Sequence, residues 1–189
     1  MSIRIPKRLK KRPQFKGLPI PYIAMIDDNG KPDFRVTDEA KRIGVIRNRH
    51  CQLCDEPLGR WFFFVGGTEA AKANMYFEPA AHLDCLIYAM KVCPFIVGRI
   101  EHVDLDKIQA QYKDKLARNV AGGMMIHKDD NFAAVRNPWW VIKKASDWTY
   151  TRTPDGTILL VPEVVKETEP LFPEDMTSSD WKKVEQFLL

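Results

Sequence analysis

The chain has 189 residues, is 45% hydrophobic and carries a formal net charge of +4. That length and apolar content allow one sizeable core and exclude an intrinsically disordered protein. No apolar stretch approaches the roughly 20 residues that a bilayer requires, and no apolar run follows the N-terminal positive residues. We therefore predict no membrane span and no signal peptide, and expect a cytoplasmic protein whose cysteines stay reduced.

Residues 1–18 form a basic N-terminal arm in which no acidic residue occurs. Such an arm can neutralise phosphates and release counterions, but it can equally be a solvated tail or contact acidic groups, including the acidic end of this chain. We therefore predict nucleic acid or an acidic host protein as the partner. The candidate nucleic-acid-binding residues are Arg4, Lys7, Arg8, Lys10, Lys11, Arg12 and Lys16.

Residues 19–162 form the predicted α+β domain, which begins with a hairpin and a helix. The dipeptide Asn29-Gly30 lies between two apolar-rich runs, where it is a strong hairpin signal. Thr37 or Asp38 can then cap a helix through about Arg47. Hairpin and helix would form a platform that leads the chain to its first cysteines.

Two pairs of metal-binding residue types follow within 48–96. Cys51 and Cys54 are separated by two residues, and after a long insert His82 and Cys85 have the same spacing. Three thiolates and one imidazole in two such pairs are typical of a tetrahedral Zn²⁺ site. Because a closed set of four ligands leaves no open position, we expect the zinc to be structural.

The two pairs are expected on a turn and on a helix. Asp55, just after the first pair, tolerates the left-handed conformation of a tight turn. Pro79 suits the first turn of a helix, so the second pair would project from one helical face. The aromatic run 61–65 and the run 74–77 predict a hairpin or two short strands between the pairs. Turn, strands and helix together give a treble-clef-like zinc subdomain.

Other ligand sets stay open. His50 or Cys93 could replace His82, although His50 adjoins a ligand in sequence and Cys93 lies two turns farther along the helix. Four ordinary buried thiols are the alternative without a metal. A disulfide within the first pair would close a very small loop and would require an oxidising compartment.

From residue 100 the pattern predicts an amphipathic helix over 104–117, which Gly122-Gly123 ends, and then strands. The turn at 153–157 joins the last two strands as a hairpin. The strand-like runs lie at 124–126, 133–135, 139–142, 148–150 and 158–161.

Residues 163–189 form an acidic segment. Its Thr177 and Asp180 resemble a capping box and predict a final helix. The chain lacks the repeated alternation of strands and helices that indicates a parallel sheet. We therefore predict a single α+β domain with β-hairpins and the embedded zinc subdomain.

Several stretches resemble a family of uncharacterised bacterial and bacteriophage proteins. They are RHCQLCDEPLG (49–59), FVGG (64–67), EPAAHLDC (78–85), YA (88–89) and VCPF (92–95), with GLPIP (17–21), GKPDFRV (30–36) and VRNP (135–138) outside them. The resemblance spans most of the chain and implies a metal site, a single domain and a bacterial or phage origin. It implies no activity.

A non-enzymatic binding module is the function that these features favour. The main alternative is a treble-clef nuclease, which needs one histidine on the strand after the turn and another on the helix. No histidine lies between Cys54 and His82, and His102 and His127 are isolated. The motifs of zinc deaminases, phosphate-binding loops and nucleophile elbows do not occur either.

An aromatic and basic surface is a further candidate for partner binding. Trp61, Trp139 and Trp140 with Arg136 could stack on bases or contact a protein. The alternative is that these tryptophans belong to the core.

Overall fold

The computed structural model describes residues 3–97, 107, 110–112 and 137–189. Within the helix predicted over 104–117, the described residues 107 and 110–112 are helical. The remainder of that helix lies outside the described residues, as do the predicted strands 124–126 and 133–135. The same holds for His102, His127 and Arg136.

The basic arm contains regular structure. Helix α1 spans Lys7–Lys10, and strands β1 (Gln14–Phe15) and β2 (Leu18–Pro19) form an antiparallel hairpin. Lys16 and Gly17 between the strands both have positive φ, of 50° and 77°. Two residues of that conformation suit a turn whose twist matches the flanking strands.

The predicted platform is confirmed. Strands β3 (Ala24–Ile26) and β4 (Pro32–Thr37) pair antiparallel, and helix α2 (Glu39–Asn48) follows. Asp38 caps α2, because its side chain accepts a hydrogen bond of 3.1 Å from the Lys41 amide. A left-handed residue, Arg49 with φ 56°, ends the helix just before the first cysteine pair.

The segment between the two cysteine pairs differs from the prediction. Strand β5 (Phe62–Gly67) forms as expected, but helix α3 (Thr68–Ala73) follows it. The run 74–77 contributes one isolated bridge, between Tyr76 and Leu160, instead of a strand. The reason is that the sequence after β5 is rich in alanine, which favours helix, and β5 finds its main partner far along the chain.

The C-terminal half completes a three-stranded antiparallel sheet of order β5-β6-β7. Strands β6 (Trp140–Arg152) and β7 (Ile158–Glu167) form the predicted hairpin around 153–157. Residues 140–142 and the run 148–150 are parts of one strand, whose register shifts near Ala145, and Trp139 lies just before that strand. Strand β7 also continues across the boundary predicted at 162/163.

Two more helices bound the core. Helix α4 spans Leu83–Val92, and helix α5 spans Ser178–Leu188. The capping box predicted for the last helix is confirmed, because Thr177 and Asp180 exchange hydrogen bonds between side chain and backbone. The fold is therefore α+β on a single chain, as predicted, with a cluster of cysteine and histidine residues embedded in it.

Strand β5 is buried on both faces, because it lies between two hydrophobic clusters. Phe63 packs into a cluster with α4 and with the buried cysteines. Phe62 and Phe64 point to the other face, where they pack against Tyr76 and Leu160. Because neighbouring side chains of a strand alternate between faces, a strand buried on both sides has an unbroken apolar sequence. That accounts for the aromatic run 61–65.

Candidate metal centre

The first cysteine pair lies on a tight turn. The Cys51 amide donates to the Glu56 carbonyl at 2.9 Å, and the Asp55 amide donates to the Cys51 carbonyl at 2.9 Å. Asp55 has the predicted left-handed conformation, with φ 65°. The turn therefore folds back on itself and points the Cys51 and Cys54 side chains inward.

The second pair lies at the start of α4. His82 is the N-cap residue of the helix, and Cys85 lies in its first turn. Phe63 of β5 fixes this start, because its amide and carbonyl both bond to Ala81 at 2.9 Å. The expectation for Pro79 is wrong: it precedes the helix, and its carbonyl accepts a hydrogen bond from the Gln52 side chain. The turn and the helix start are thereby joined directly.

The four predicted ligands converge. One ligand atom from each of Cys51, Cys54, His82 and Cys85 lies within 4.8 Å of all the others. Tetrahedral zinc, with bonds of about 2.3 Å to sulfur and 2.0–2.1 Å to nitrogen, places a sulfur and a nitrogen ligand about 3.6 Å apart. The Sγ of Cys54 and the Nδ1 of His82 are 3.4 Å apart. The residues present therefore fit a tetrahedral ion with little adjustment.

The tautomer of His82 is fixed by its second ring nitrogen. Its Nε2 lies 3.0 Å from the carbonyl oxygen of Pro57. A carbonyl can only accept, so Nε2 carries the hydrogen and donates it. In the neutral ring Nδ1 is then unprotonated and available as a metal ligand. A hydrogen bond from the far nitrogen to a backbone carbonyl is the usual orientation of a metal-binding histidine.

The pKa of each of two thiols at the site, Cys51 and Cys85, depends on the other cysteines of the cluster. Burial raises the pKa of Cys51, but hydrogen bonds from Cys54 and Cys85 outweigh burial and lower it. The hydrogen bonds that Cys85 makes with Cys51 and Cys54 raise its pKa, and burial and nearby negative charge raise it as well. Burial lowers the pKa of His82, but the contact with Cys54 outweighs burial, so the pKa is raised above its ordinary value. The site's own groups thus favour a thiolate at Cys51 and a protonated thiol at Cys85, whereas a bound divalent cation would stabilise the thiolate form of its cysteine ligands.

The alternative ligands lie outside this cluster. The Nδ1 of His50 is 3.2 Å from a carboxylate oxygen of Asp55. Cys93 is the C-cap residue of α4 and is half-buried. All four cysteines are free thiols, so the disulfide alternative is not adopted.

Acidic residues flank both pairs, and residues of the basic arm bind them. Arg8 contacts Glu56, which follows the turn, with Nε and Oε2 3.3 Å apart. The same guanidinium donates to Asp84, which lies between His82 and Cys85 in sequence, at 3.1 Å. Lys11 binds Glu56 at 2.7 Å. The sequence analysis did not predict these two acids as partners of the arm. The available signal was that each acid lies within two residues of a predicted ligand.

The other basic residues of the arm have mixed environments. Arg12 donates to the Ile20 carbonyl at 3.2 Å, and Lys16 lies 5.7 Å from the Phe15 ring centroid. Within the described part of the chain, Arg4, Lys7 and Lys10 are exposed and make no ion pair. The structure therefore divides the seven candidates into residues used internally and residues free for a partner.

The tryptophans do not form one surface. Trp61 is 36% exposed and is flanked by Arg60 and Lys144, whose cationic groups lie 4.8 and 5.1 Å from its rings. Trp140 packs against the cluster around α4 and is partly buried. Trp139 lines a shallow pocket with Lys143 and other residues. Trp140 therefore belongs to the core, whereas Trp61 is partly exposed beside positive charge.

Comparison with known proteins gave no match: no protein-family model, curated protein or solved structure is similar to this chain. The likeness to a bacterial and phage family thus stays a prediction from the sequence. The described residues include no helix that is both long and apolar enough to cross a membrane. The functional argument therefore depends on the site itself.

Proposed function

We propose that this protein binds one Zn²⁺ ion through Cys51, Cys54, His82 and Cys85, and that the ion fastens a scaffold for binding a partner. The supporting observation is the convergence of the four ligand atoms within 4.8 Å. Thiolates select soft or borderline ions, and three thiolates with one imidazole in tetrahedral arrangement favour zinc over hard cations. Four protein ligands leave no position for substrate, so the ion is structural. The ligands come from a turn and a helix start, which is the arrangement of a treble-clef-like subdomain.

Metal analysis of the purified protein tests this proposal. We expect about one zinc per chain in the wild type and a large loss of zinc in Cys51→Ser. Cys93→Ser is the matched control, because Cys93 is a free thiol outside the cluster and its variant should keep its zinc. A wild-type protein that is folded yet free of metal would refute the proposal. Equal zinc loss in both variants would refute the ligand assignment.

A nucleic acid is the partner that the arm favours. Arg4, Lys7 and Lys10 are exposed and make no ion pair with the described residues. Three phosphate contacts would give a slope of about −2.7 in a plot of log affinity against log salt concentration for double-stranded DNA. An acidic protein of the host is the other candidate, and its binding would be seen without nucleic-acid binding.

Electrophoretic shift with DNA and RNA at two salt concentrations separates these partners. We expect Lys7→Glu with Lys10→Glu to abolish the shift. Lys31→Glu with Lys182→Glu is the control of equal charge change, because both lysines are exposed and lie outside the arm. No shift of the wild type at low salt would remove the nucleic-acid hypothesis and leave the protein partner.

The enzymatic alternative is a treble-clef nuclease. Two histidines are described, of which His82 belongs to the cluster and His50 contacts Asp55. Neither supplies the second histidine, on the strand after the turn, that this chemistry needs. Metal-dependent cleavage of DNA or RNA by the zinc-loaded protein would revive this alternative. A bacterial or phage origin and a cytoplasmic location stay predictions.

A further inference from the structure

Helix α1 lies across the metal centre, and Arg8 is the residue that connects them. Its guanidinium contacts one acid from each half of the site: Glu56, two residues after Cys54, and Asp84, which directly precedes Cys85. No other side chain among the described residues contacts acids from both halves. Arg8 therefore spans the same gap, from turn to helix, that the metal would span.

The neighbours of Arg8 hold α1 in this position. Leu9 is 3% exposed and packs in the same cluster as Cys51 and Cys54. Lys11 gives Glu56 a second cationic contact, with Nζ and Oε1 2.7 Å apart. The helix is thus fixed by an apolar anchor on one side and by ion pairs on the other.

The negative charge at the proposed zinc site would be balanced by nearby cationic residues. Zinc with three thiolates and a neutral imidazole has a net charge of about −1. Glu56 and Asp84 add negative charge beside it, and Arg8 and Lys11 oppose that charge. Burial lowers the pKa of Arg8, but Asp84, Cys85 and Glu56 together outweigh burial and raise it.

We propose that Arg8 is a positioning residue of the metal centre, which slows loss of the ion by joining its two halves and balancing its charge. This inference rests on the proposed zinc site. Because the metal and Arg8 hold the same two elements together, each strengthens the binding of the other. Docking of α1 is therefore linked to metal occupancy, and removal of zinc loosens the arm.

Transfer of zinc to an excess of a chromophoric chelator tests whether Arg8 slows loss of the ion. Arg8 acts through Glu56 and Asp84, and ion pairs this exposed change an equilibrium by up to about 5-fold, so we expect the Arg8→Ala variant to lose zinc about 3-fold faster than the wild type. Lys7→Ala is the control, because Lys7 lies one residue away and pairs with none of the described acids; it should release zinc at the wild-type rate.

The outcomes distinguish the two proposals. A wild type without zinc refutes the proposed function. A zinc-loaded wild type whose release rate equals that of Arg8→Ala refutes the role of Arg8. An exposed ion pair contributes little stability, so folding of the variant is expected. Asp84→Asn removes the helix end of the contact, so in this background Arg8→Ala should speed release less than it does in the wild type; an equal acceleration in both backgrounds counts against the proposal.

Hydrogen exchange tests the linkage between the metal and the arm. We compare amide protection of residues 7–12 in the zinc-loaded protein and after removal of zinc by a chelator. Protection should fall at least 10-fold in α1, and the zinc-loaded Arg8→Ala variant should show part of the same loss. Unchanged protection of α1 on zinc removal, with the centre of the β6–β7 hairpin still protected, would overturn the linkage.

Discussion

The two faces of β5 are stabilised by different means. On one face Phe63 joins a cluster that contains α4 and the buried Cys51, Cys54 and Cys85. On the other face Phe62 and Phe64 pack against aromatic rings, with Phe62 and Trp148 centroids 4.7 Å apart. In the proposed function an ion would join the thiolates of the first face, whereas the second face holds aromatic and aliphatic side chains and none of the four candidate ligands. We therefore call the first face the metal-dependent half and the second the metal-independent half.

Removal of zinc should have the largest effect of any change considered. Structural zinc contributes about 10–16 kcal/mol of apparent binding free energy in small zinc domains, which exceeds the total stability of many domains. We expect chelation to remove hydrogen-exchange protection from α4 first and from the centre of β6 later. Simultaneous loss at both elements would show that the two halves form one cooperative unit. Re-addition of zinc, as the control, should restore protection.

Replacement of Phe64 by Ala should instead destabilise the metal-independent half. Phe64 is 1% exposed and its ring centroid lies 5.3 Å from that of Tyr76. Replacement of a buried Phe by Ala costs about 3–5 kcal/mol, and urea unfolding of the zinc-loaded protein measures it. Tyr150→Ala is the control, because Tyr150 is 65% exposed on β6. Zinc content should be unchanged in both variants; loss of zinc from Phe64→Ala would mean that the halves are not independent.

Gly66 tests how closely α3 packs against the metal-independent half. A Cβ at this position would lie 2.6 Å from Cε1 of Tyr76 and 2.9 Å from Cβ of Ala70. Overpacking of this kind costs about 1–3 kcal/mol, so Gly66→Ala should lower the free energy of unfolding by that amount. At Gly59 a Cβ would meet nothing within 4 Å, which makes Gly59→Ala the matched control. Equal stabilities of the two variants would contradict the close packing.

The metal-dependent half was easier to predict from sequence than the metal-independent half. Spacing predicted the four residues that the structure brings together, Cys51, Cys54, His82 and Cys85, because a tetrahedral ion would restrict which residue types occur and how far apart they lie. The left-handed Asp55 and the caps at Asp38 and Thr177 followed from local chemistry in the same way. Signals of this kind are short and act within a few residues.

Non-local pairing could not be predicted by the same means. Strand β5 pairs with β6, some eighty positions later, and a strand buried on both faces carries no period-2 pattern to reveal its partner. The ion pairs of the arm could not be predicted for a related reason: Arg8 and Lys11 pair with Asp84 and Glu56, which are far from them in sequence. Their predicted contact with nucleic acid stays a prediction. Basic residues give no local sign of which acid they will meet.

Removal of the cap of α5 should cause the smallest loss of stability among these predictions. Its dependence on pH should also differ from that of zinc binding. The Thr177 side chain accepts from the Asp180 amide at 3.3 Å, so Thr177→Ala should cost about 1 kcal/mol in urea unfolding at pH 7. Ser179→Ala is the control, because Ser179 is one residue away but lies outside the capping box.

The contribution of the cap to stability depends on pH through the carboxyl group of Asp180. Hydrogen bonds from Thr177 hold the pKa of Asp180 below its ordinary value of 3.8. A carboxyl with a lowered folded-state pKa stabilises the protein above its unfolded-state pKa, and this stabilisation is lost as the pH falls through the folded-state value. The difference between wild type and Asp180→Asn should therefore stay constant from pH 8 to pH 5. Zinc affinity should fall over the same range, because protons compete with the ion for the thiolates. A difference that shrank in parallel with zinc affinity would mean that the cap and the metal centre are one coupled unit.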